Sequence, residues 1–180
     1  RRNSGPRDCQ GKNQQQDNFA EAVLSVRRIA KVIKGGRRLA FSALVVVGDR
    51  KGSVGIATGK SREVSSAIAK ALRRAKKRMV TVPLYKTTLP YDVKAKHGAS
   101  SVIIRSASKG TGVIAGGAVR SLMEALGVRD VLAKSVGSTN PHNVVKAALR
   151  ALSMLRSAQH IAYLRGKNIK ELFGARNVTA

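Results

Sequence analysis

At 180 residues, 43% of them hydrophobic, the sequence is long enough for one medium domain or two small ones with real cores. Its 35 Lys and Arg against 9 Asp and Glu leave a formal net charge of +26, a surface that repels itself unless a polyanion neutralises it. The longest apolar stretch, Ala43 to Val47, is only strand length and excludes a spanning helix. A single cysteine, Cys9, excludes a disulfide framework and a Cys-based zinc site and points to a reducing compartment. Nucleic acid is the first polyanion to consider, and anionic lipid would also serve.

In chain order, residues 1–18 hold almost no apolar side chains and read as a flexible polar tail. The chain starts at Arg1, so its beginning says nothing about a targeting segment. From Phe19, β-branched and apolar residues run past Ile33 to Lys34-Gly35-Gly36, where paired glycines permit the positive φ of a tight turn. A strongly β-prone return, Leu39 to Val47, turns again at Gly48-Asp49-Arg50-Lys51-Gly52, and Ser53 to Thr58 makes a third strand. Val64, Ala67, Ile68, Ala71, Leu72, Ala75 and Met79 then recur at helical spacing, predicting a helix from Arg62 to Met79.

Pro83 and Pro90 mark a boundary, with a first unit over 19–82 and a second over 83–174, followed by a short tail, 175–180. The second unit opens with a buried strand, Ser101 to Ser106, and the loop Ser108 to Gly112. Leu122, Met123 and Leu126 give one face of a helix stopping at Gly127, and Val128 to Val136 reads as a strand. Asn140-Pro141 begins the next helix, with Val144, Val145, Ala148, Leu149, Leu152 and Leu155 on its apolar stripe. A short polar stretch leads to a last helical turn around Ile169 to Phe173. Both units read as α+β.

Charge is weighted to the first unit: residues 19–86 hold 17 basic and 3 acidic side chains, residues 87–173 hold 13 and 4. The expected helix carries Lys70, Arg73, Arg74, Lys76, Lys77 and Arg78 with almost no acidic i,i+4 partners. A merely solvated face mixes signs, so Arg73, Arg74 and Lys77 are expected to meet phosphate. The turn places Lys31, Lys34, Arg37 and Arg38 around Gly35 and Gly36, where bare backbone can approach RNA and guanidinium forks can grip phosphates. Arg27 and Arg28 on its first arm, Arg50 and Lys51 in the second turn, and Lys60 and Arg62 before the helix complete the expected RNA contacts. A hairpin that only turns and a helix face that is only hydrated are the plainer alternatives.

The stretch SKGTGVIAGG, Ser108 to Gly117, is a glycine-rich run into a helix, as phosphate cradles are, but lacks the Gly-Lys-Ser/Thr of a Walker motif. His97, His142 and His160 have no His or carboxylate at i+3 or i+4, so no metal site is expected. Six Phe and Tyr in total and no Trp argue against an aromatic platform for single-stranded bases, and for folded RNA read by shape and phosphate.

The segments VVVGDRKGSVGIATGKSREV, SKGTGVIAGGAVRSLMEALGVRDVLAK and SVGSTNPHNVVKAALRAL resemble bacterial-type small-subunit ribosomal protein five, over about Phe19 to Gly174. The resemblance implies an α+β protein: an N-terminal domain like the double-stranded-RNA-binding fold, three antiparallel strands plus a helix, and a β-α-β-α C-terminal domain. It implies a structural, non-catalytic role on small-subunit ribosomal RNA, at the entrance for messenger RNA and in decoding fidelity. Small-subunit proteins four and eight are the implied neighbours; no cofactor, membrane or small-molecule substrate is implied. The implied location is the ribosome, in the cytoplasm or an organelle. Arg28 through Arg38 correspond to the family hairpin that approaches ribosomal RNA near the spectinomycin site, and Gly112 and Arg120 stand where the family faces protein four. The sequence departs at Thr58, where many relatives place an aromatic residue, at Ser65, where many place Pro, and at the more basic turn Arg50-Lys51. Competing functions are a nucleotide-binding enzyme using the 108–117 loop, which would need carboxylates for magnesium where only Glu124 and Asp130 are near, and an extra-ribosomal double-stranded-RNA-binding or chaperone protein.

Overall fold

The computed structural model describes residues 19–172. The expected tails, 1–18 and 175–180, lie outside the described residues.

The first sheet is built from β1 (Ala20–Ile33), β2 (Gly36–Gly48), β3 (Ser53–Ser61) and, after helix α1 (Val64–Lys76), β4 (Met79–Thr81). The strands lie in that order, all antiparallel. The three expected strands are present, and β4 corrects the count to four. The helix stops at Lys76 rather than at Met79, because Met79, Val80 and Thr81 pair with Gly55, Val54 and Ser53 of β3. β-Branched residues just ahead of Pro83 favour that extended edge over another helical turn.

Ala43 to Val47 on β2 are buried without alternation, since the sheet is covered on both faces. Ala43, Val45 and Val47 pack against Ala67, Ala71 and Ala75 of α1, while Val46 points to the opposite face and the main core. The alanine stripe and the glycines of β3 let helix and sheet backbones nearly touch. A Cβ on Gly59 would run into the carbonyl oxygen of Ala67 and stand 2.7 Å from the amide nitrogen of Ala71.

The second sheet comprises β5 (Val93–His97), β6 (Ser100–Ser106), β7 (Val113–Ile114) and β8 (Val131–Gly137), in the order β5-β6-β8-β7. Only β7 and β8 run parallel. Helices α2 (Gly117–Leu126) and α3 (Pro141–Ser153) cover one face, and α4 (Ala158–Arg165) and α5 (Ile169–Leu172) follow. The expected β-α-β-α series is therefore β6-α2-β8-α3, with β5, β7 and α4 added. The expected strand from Val128 begins only at Val131, since Val128 N–H still bonds back to Met123 at the end of α2. The stretch expected to be polar linker holds α4, capped by Ser157 Oγ accepting from His160 N–H and ended by Gly166 in the left-handed region.

One core joins both sheets: Val46 and Val54 of the first sheet with Leu122, Met123 and Leu126 of α2, Val102 and Ile104 of β6, and Val145 and Leu152 of α3. Burial of several such side chains, each worth about 1.5–3 kcal/mol, makes this the main tie between the two sheets. The turn after β2 adds a polar one, with Arg50 N–H donating to Ala125 O (3.0 Å) and Gly52 N–H to Leu126 O (3.1 Å). These bonds satisfy carbonyls that the C-terminus of α2 would leave open.

Candidate nucleic-acid interface

The strand β3 ends at Ser61, opposite Phe41. Beyond that point β1 and β2 continue alone as a two-stranded arm, closed by Lys34-Gly35 with Ile33 paired to Gly36. Every residue from 27 to 39 is exposed. Gly35 and Gly36 have φ of +79° and +150°, and neither would meet another atom within 4 Å if given a Cβ. The glycines thus serve the turn and leave its outer surface open.

Directly paired residues share a face. Arg27, paired with Ser42, and Lys31, paired with Arg38, lie on the side facing α3; Arg28, paired with Phe41, and Arg37, paired with Val32, lie on the α1 side. The arm therefore carries cations on both faces, between exposed Val26, Ile29, Leu39 and Val32, the last 82% accessible. An isolated two-stranded ribbon is marginal in water, and the like charges of Lys31 and Arg38 stand opposite each other. Such a ribbon gains stability against a polyanion that neutralises the charge and covers the aliphatic side chains.

The remaining expected contacts separate into distinct places. Lys60 is exposed near the foot of the arm, paired with Ser42, and Arg62 is exposed just beyond it. Arg73 and Lys77 are exposed away from the buried alanine stripe of α1, whereas Arg74, also exposed, turns back towards the sheet, its Nη1 donating to Thr58 O (3.1 Å). Lys76, though exposed, is engaged by the fold itself, bonded to Glu21 Oε1 (2.8 Å) with its ammonium 5.1 Å from the Phe19 ring centre. Arg50 and Lys51 sit at the opposite end of β2 from the arm's turn, a strand length of about 40 Å at ~3.4 Å per residue. Their side chains are exposed, but Arg50 (φ +57°) and the Asp49 carboxylate, accepting from Lys51 and Ser53 N–H, shape the turn that docks onto α2.

The acids explain why so many cations are left over. Among the described residues only three ion pairs form: Lys76 with Glu21, Arg105 with Asp92, and Arg120 with Glu124. Asp49 and Asp130 bind backbone N–H groups, and Glu63 accepts from Ser66. Acidic side chains here shape turns and helix starts, while the basic ones face outward.

The glycine-rich loop is not an open cradle. Asp130, 4% exposed, turns its Oδ1 into the loop and accepts from Gly110 N–H (2.9 Å) and Gly112 N–H (3.1 Å). The Gly112 bond foremost, then one from the Thr87 side chain, holds this carboxyl below its usual range. A phosphate would have to displace that carboxylate. The stretch runs into a helix as expected, α2 starting at Gly117, but it is not all loop, because β7 lies within it. Gly112 is required by its φ of +77°, with nothing within 4 Å of a Cβ there. Arg120 is exposed on α2, its Nε bonded to Glu124 Oε1 (3.0 Å).

No group of three metal-ligating side chains occurs among the described residues, nor is any helix there long and apolar enough to cross a membrane. Sequence reasoning does not single out Arg78 and Lys146 as a pair, nor His142 beyond a solvated imidazole. All three line a hollow between α1, the first sheet and α3, and such long-range convergence leaves no trace in local spacing.

Two family models cover most of the chain: "Ribosomal protein S5, N-terminal domain" matches residues 19–83 and "Ribosomal protein S5, C-terminal domain" residues 95–165. The chain is 58% identical over 149 residues to small ribosomal subunit protein uS5 of Lawsonia intracellularis, covering 83% of this chain and 91% of that protein. It is 51% identical to uS5 of Gluconobacter oxydans (91% and 86% covered) and 48% identical to uS5 of Gluconacetobacter diazotrophicus (97% and 91% covered). With both domain models matched in order and relatives near 50% identity along almost the whole length, the chain belongs to the ribosomal protein S5 (uS5) family.

Proposed function

We propose that this chain is a structural constituent of the small ribosomal subunit that binds small-subunit ribosomal RNA and performs no catalysis. The observation that carries the reading is the arm over residues 27–39, wholly exposed, basic on both faces and interleaved with aliphatic side chains. The sheet behind it fixes its direction, and the basic face of α1 offers a second phosphate surface. The Gly112 loop and Arg120 are assigned to a contact with small-subunit protein four, and protein eight is a second neighbour. Residues 19–82 and 83–174 form the two units of the chain, working on a ribosome of the cytoplasm or an organelle. A role at the messenger RNA entrance and in decoding fidelity is part of the same reading, supported by the resemblance to the family.

The test is the salt dependence of binding to small-subunit ribosomal RNA. Replacing Lys31, Lys34, Arg37 and Arg38 by Ala should lower affinity and flatten the slope of log K against log salt by about 0.7–0.9 for each phosphate no longer neutralised. An unaltered slope removes the arm from the RNA interface.

A further inference from the structure

Four elements of the fold send cations into one hollow. Two adjoining cavities of about 500 and 340 Å³ lie between the first sheet and the start of α3, sharing Leu44, Thr58 and His142 in their walls. Arg27 enters from β1, Lys60 from β3, Arg74 and Arg78 from α1 and the turn after it, and His142 and Lys146 from α3. Among the described residues, no Asp, Glu, Phe, Tyr or Trp lines either cavity. Arg27 Nη2 donates to Asn140 Oδ1 (3.2 Å), bridging the root of the arm to the residue ahead of α3. Arg74 is likewise pinned to Thr58 O. Two of the six basic groups are thus preset, and the groups that fix them are neutral.

Resting on the reading of this chain as an RNA-binding protein, we propose that the hollow is a binding site for the phosphodiester backbone of RNA, held by Arg27, Lys60, Arg74, Arg78, His142 and Lys146. A concave wall of one sign concentrates counter-ions and strengthens each contact relative to the open surface. The two cavities form a trough from the root of the arm to the end of α1 rather than a closed pocket. That shape suits a chain of successive phosphates, and the lack of an aromatic wall gives a mononucleotide base nothing to stack on. The trough adjoins the arm through Arg27 and Lys60, so one RNA strand passing the arm can continue into it.

His142 supplies a signature. Burial first, then the charges of Lys146, His97 and Arg27, hold its imidazole below the ordinary histidine range; Lys60, Arg74 and Arg78 also line its surroundings and add to the positive field. A phosphate placed among these groups reverses that field and favours the imidazolium. Binding therefore takes up a proton at His142, and RNA affinity rises as pH falls through the histidine range.

The test uses the full chain and small-subunit ribosomal RNA. Arg78→Gln with Lys146→Gln should weaken binding about tenfold and flatten the salt slope by about 1.5, from two phosphates left unneutralised. Thr58→Phe fills the hollow without altering charge and should weaken binding by a similar factor, with circular dichroism matching the wild type. His142→Asn should abolish the excess gain in affinity at low pH. Wild-type affinity, slope and pH dependence in all three variants, while the arm variant binds more weakly, would overturn the trough and leave the RNA reading standing. A wild-type chain that shows no salt-dependent RNA binding would overturn both. Phosphate or ATP bound with unit stoichiometry in calorimetry, and abolished in the trough variants with RNA affinity unchanged, would make it a small-anion site and also overturn the proposal.

Discussion

Replacing Gly59 by Ala tests how the basic helix is seated. In the structure the added Cβ collides with the Ala67 carbonyl oxygen and lies 2.7 Å from the Ala71 amide nitrogen, both backbone atoms of α1. No rotamer change relieves that contact, so the helix must move off the sheet or β3 must bend. Overpacking of this kind costs about 1–3 kcal/mol, and the buried stripe it disturbs consists of Ala67, Ala71 and Ala75, which offer little side-chain slack. For a chain of this size each kcal/mol lowers the melting temperature by roughly 2–4 °C, which gives about 2–12 °C for Gly59→Ala. Gly116→Ala is the control, since nothing among the described residues lies within 4 Å of its Cβ position and the loss of Gly as N-cap of α2 costs only about 0.5 kcal/mol, so it should melt within about 1–2 °C of the wild type. Differential scanning calorimetry of the three proteins decides the matter. Equal melting temperatures for Gly59→Ala and Gly116→Ala would refute the close approach of α1 to β3.

Three further outcomes follow from the geometry. Arg73, Arg74 and Lys77 to Ala should leave far-ultraviolet circular dichroism unchanged, since none lies on the buried stripe, while flattening the salt slope of ribosomal RNA binding by about 0.7–0.9 per phosphate; an unchanged slope takes this face out of the interface. Gly112→Arg, strained by the φ of +77°, and Arg120→Leu should each weaken association with small-subunit protein four in a pull-down and alter stop-codon readthrough, and intact association would refute the assignment. Asp130 should show in acid unfolding. Its folded carboxyl is held below the ordinary value by the Gly112 and Thr87 bonds, so its stabilising contribution is complete above about pH 4 and disappears as pH falls below that. Asp130→Asn should melt lower at pH 7, with the difference from wild type narrowing towards pH 3; a constant difference would contradict the role given to the carboxylate.

Where local chemistry decides the structure, the sequence is readable. Gly35-Gly36 marks the arm, the alanine stripe marks α1, Gly127 ends α2, and Pro141 begins α3. The strand β5 carries a period-two signal as well, since Val93 and Ala95 are buried between exposed Lys94 and Lys96, but five residues so close to Pro90 are easily taken for linker. Short β4 and β7 exist only because a longer neighbour supplies their hydrogen bonds, and three or two residues carry no periodicity of their own. Asn140 reads as a helix cap and stands at that position, yet its side chain accepts from Arg27, 113 residues away.

The candidate site divides in the same way. Basic residues announce themselves by charge, whereas the role of Asp130 inside the glycine loop and the convergence of Arg78, His142 and Lys146 depend on residues far apart in the chain. Arg50 and Lys51 show the converse: equal in charge to the arm residues, they lie on a turn whose backbone docks onto α2.

The proposed function requires the arm and its cations to seat this chain on the small ribosomal subunit. Small subunits stripped of their own uS5 and mixed with the chain can be sedimented through sucrose at rising salt, with wild type compared against Lys31, Lys34, Arg37 and Arg38 all changed to Glu. The wild type should travel with the subunit at low salt and be released only at high salt, while the reversed arm should stay at the top of the gradient throughout. Equal co-migration of the two proteins at every salt concentration would mean that the arm does not seat the chain.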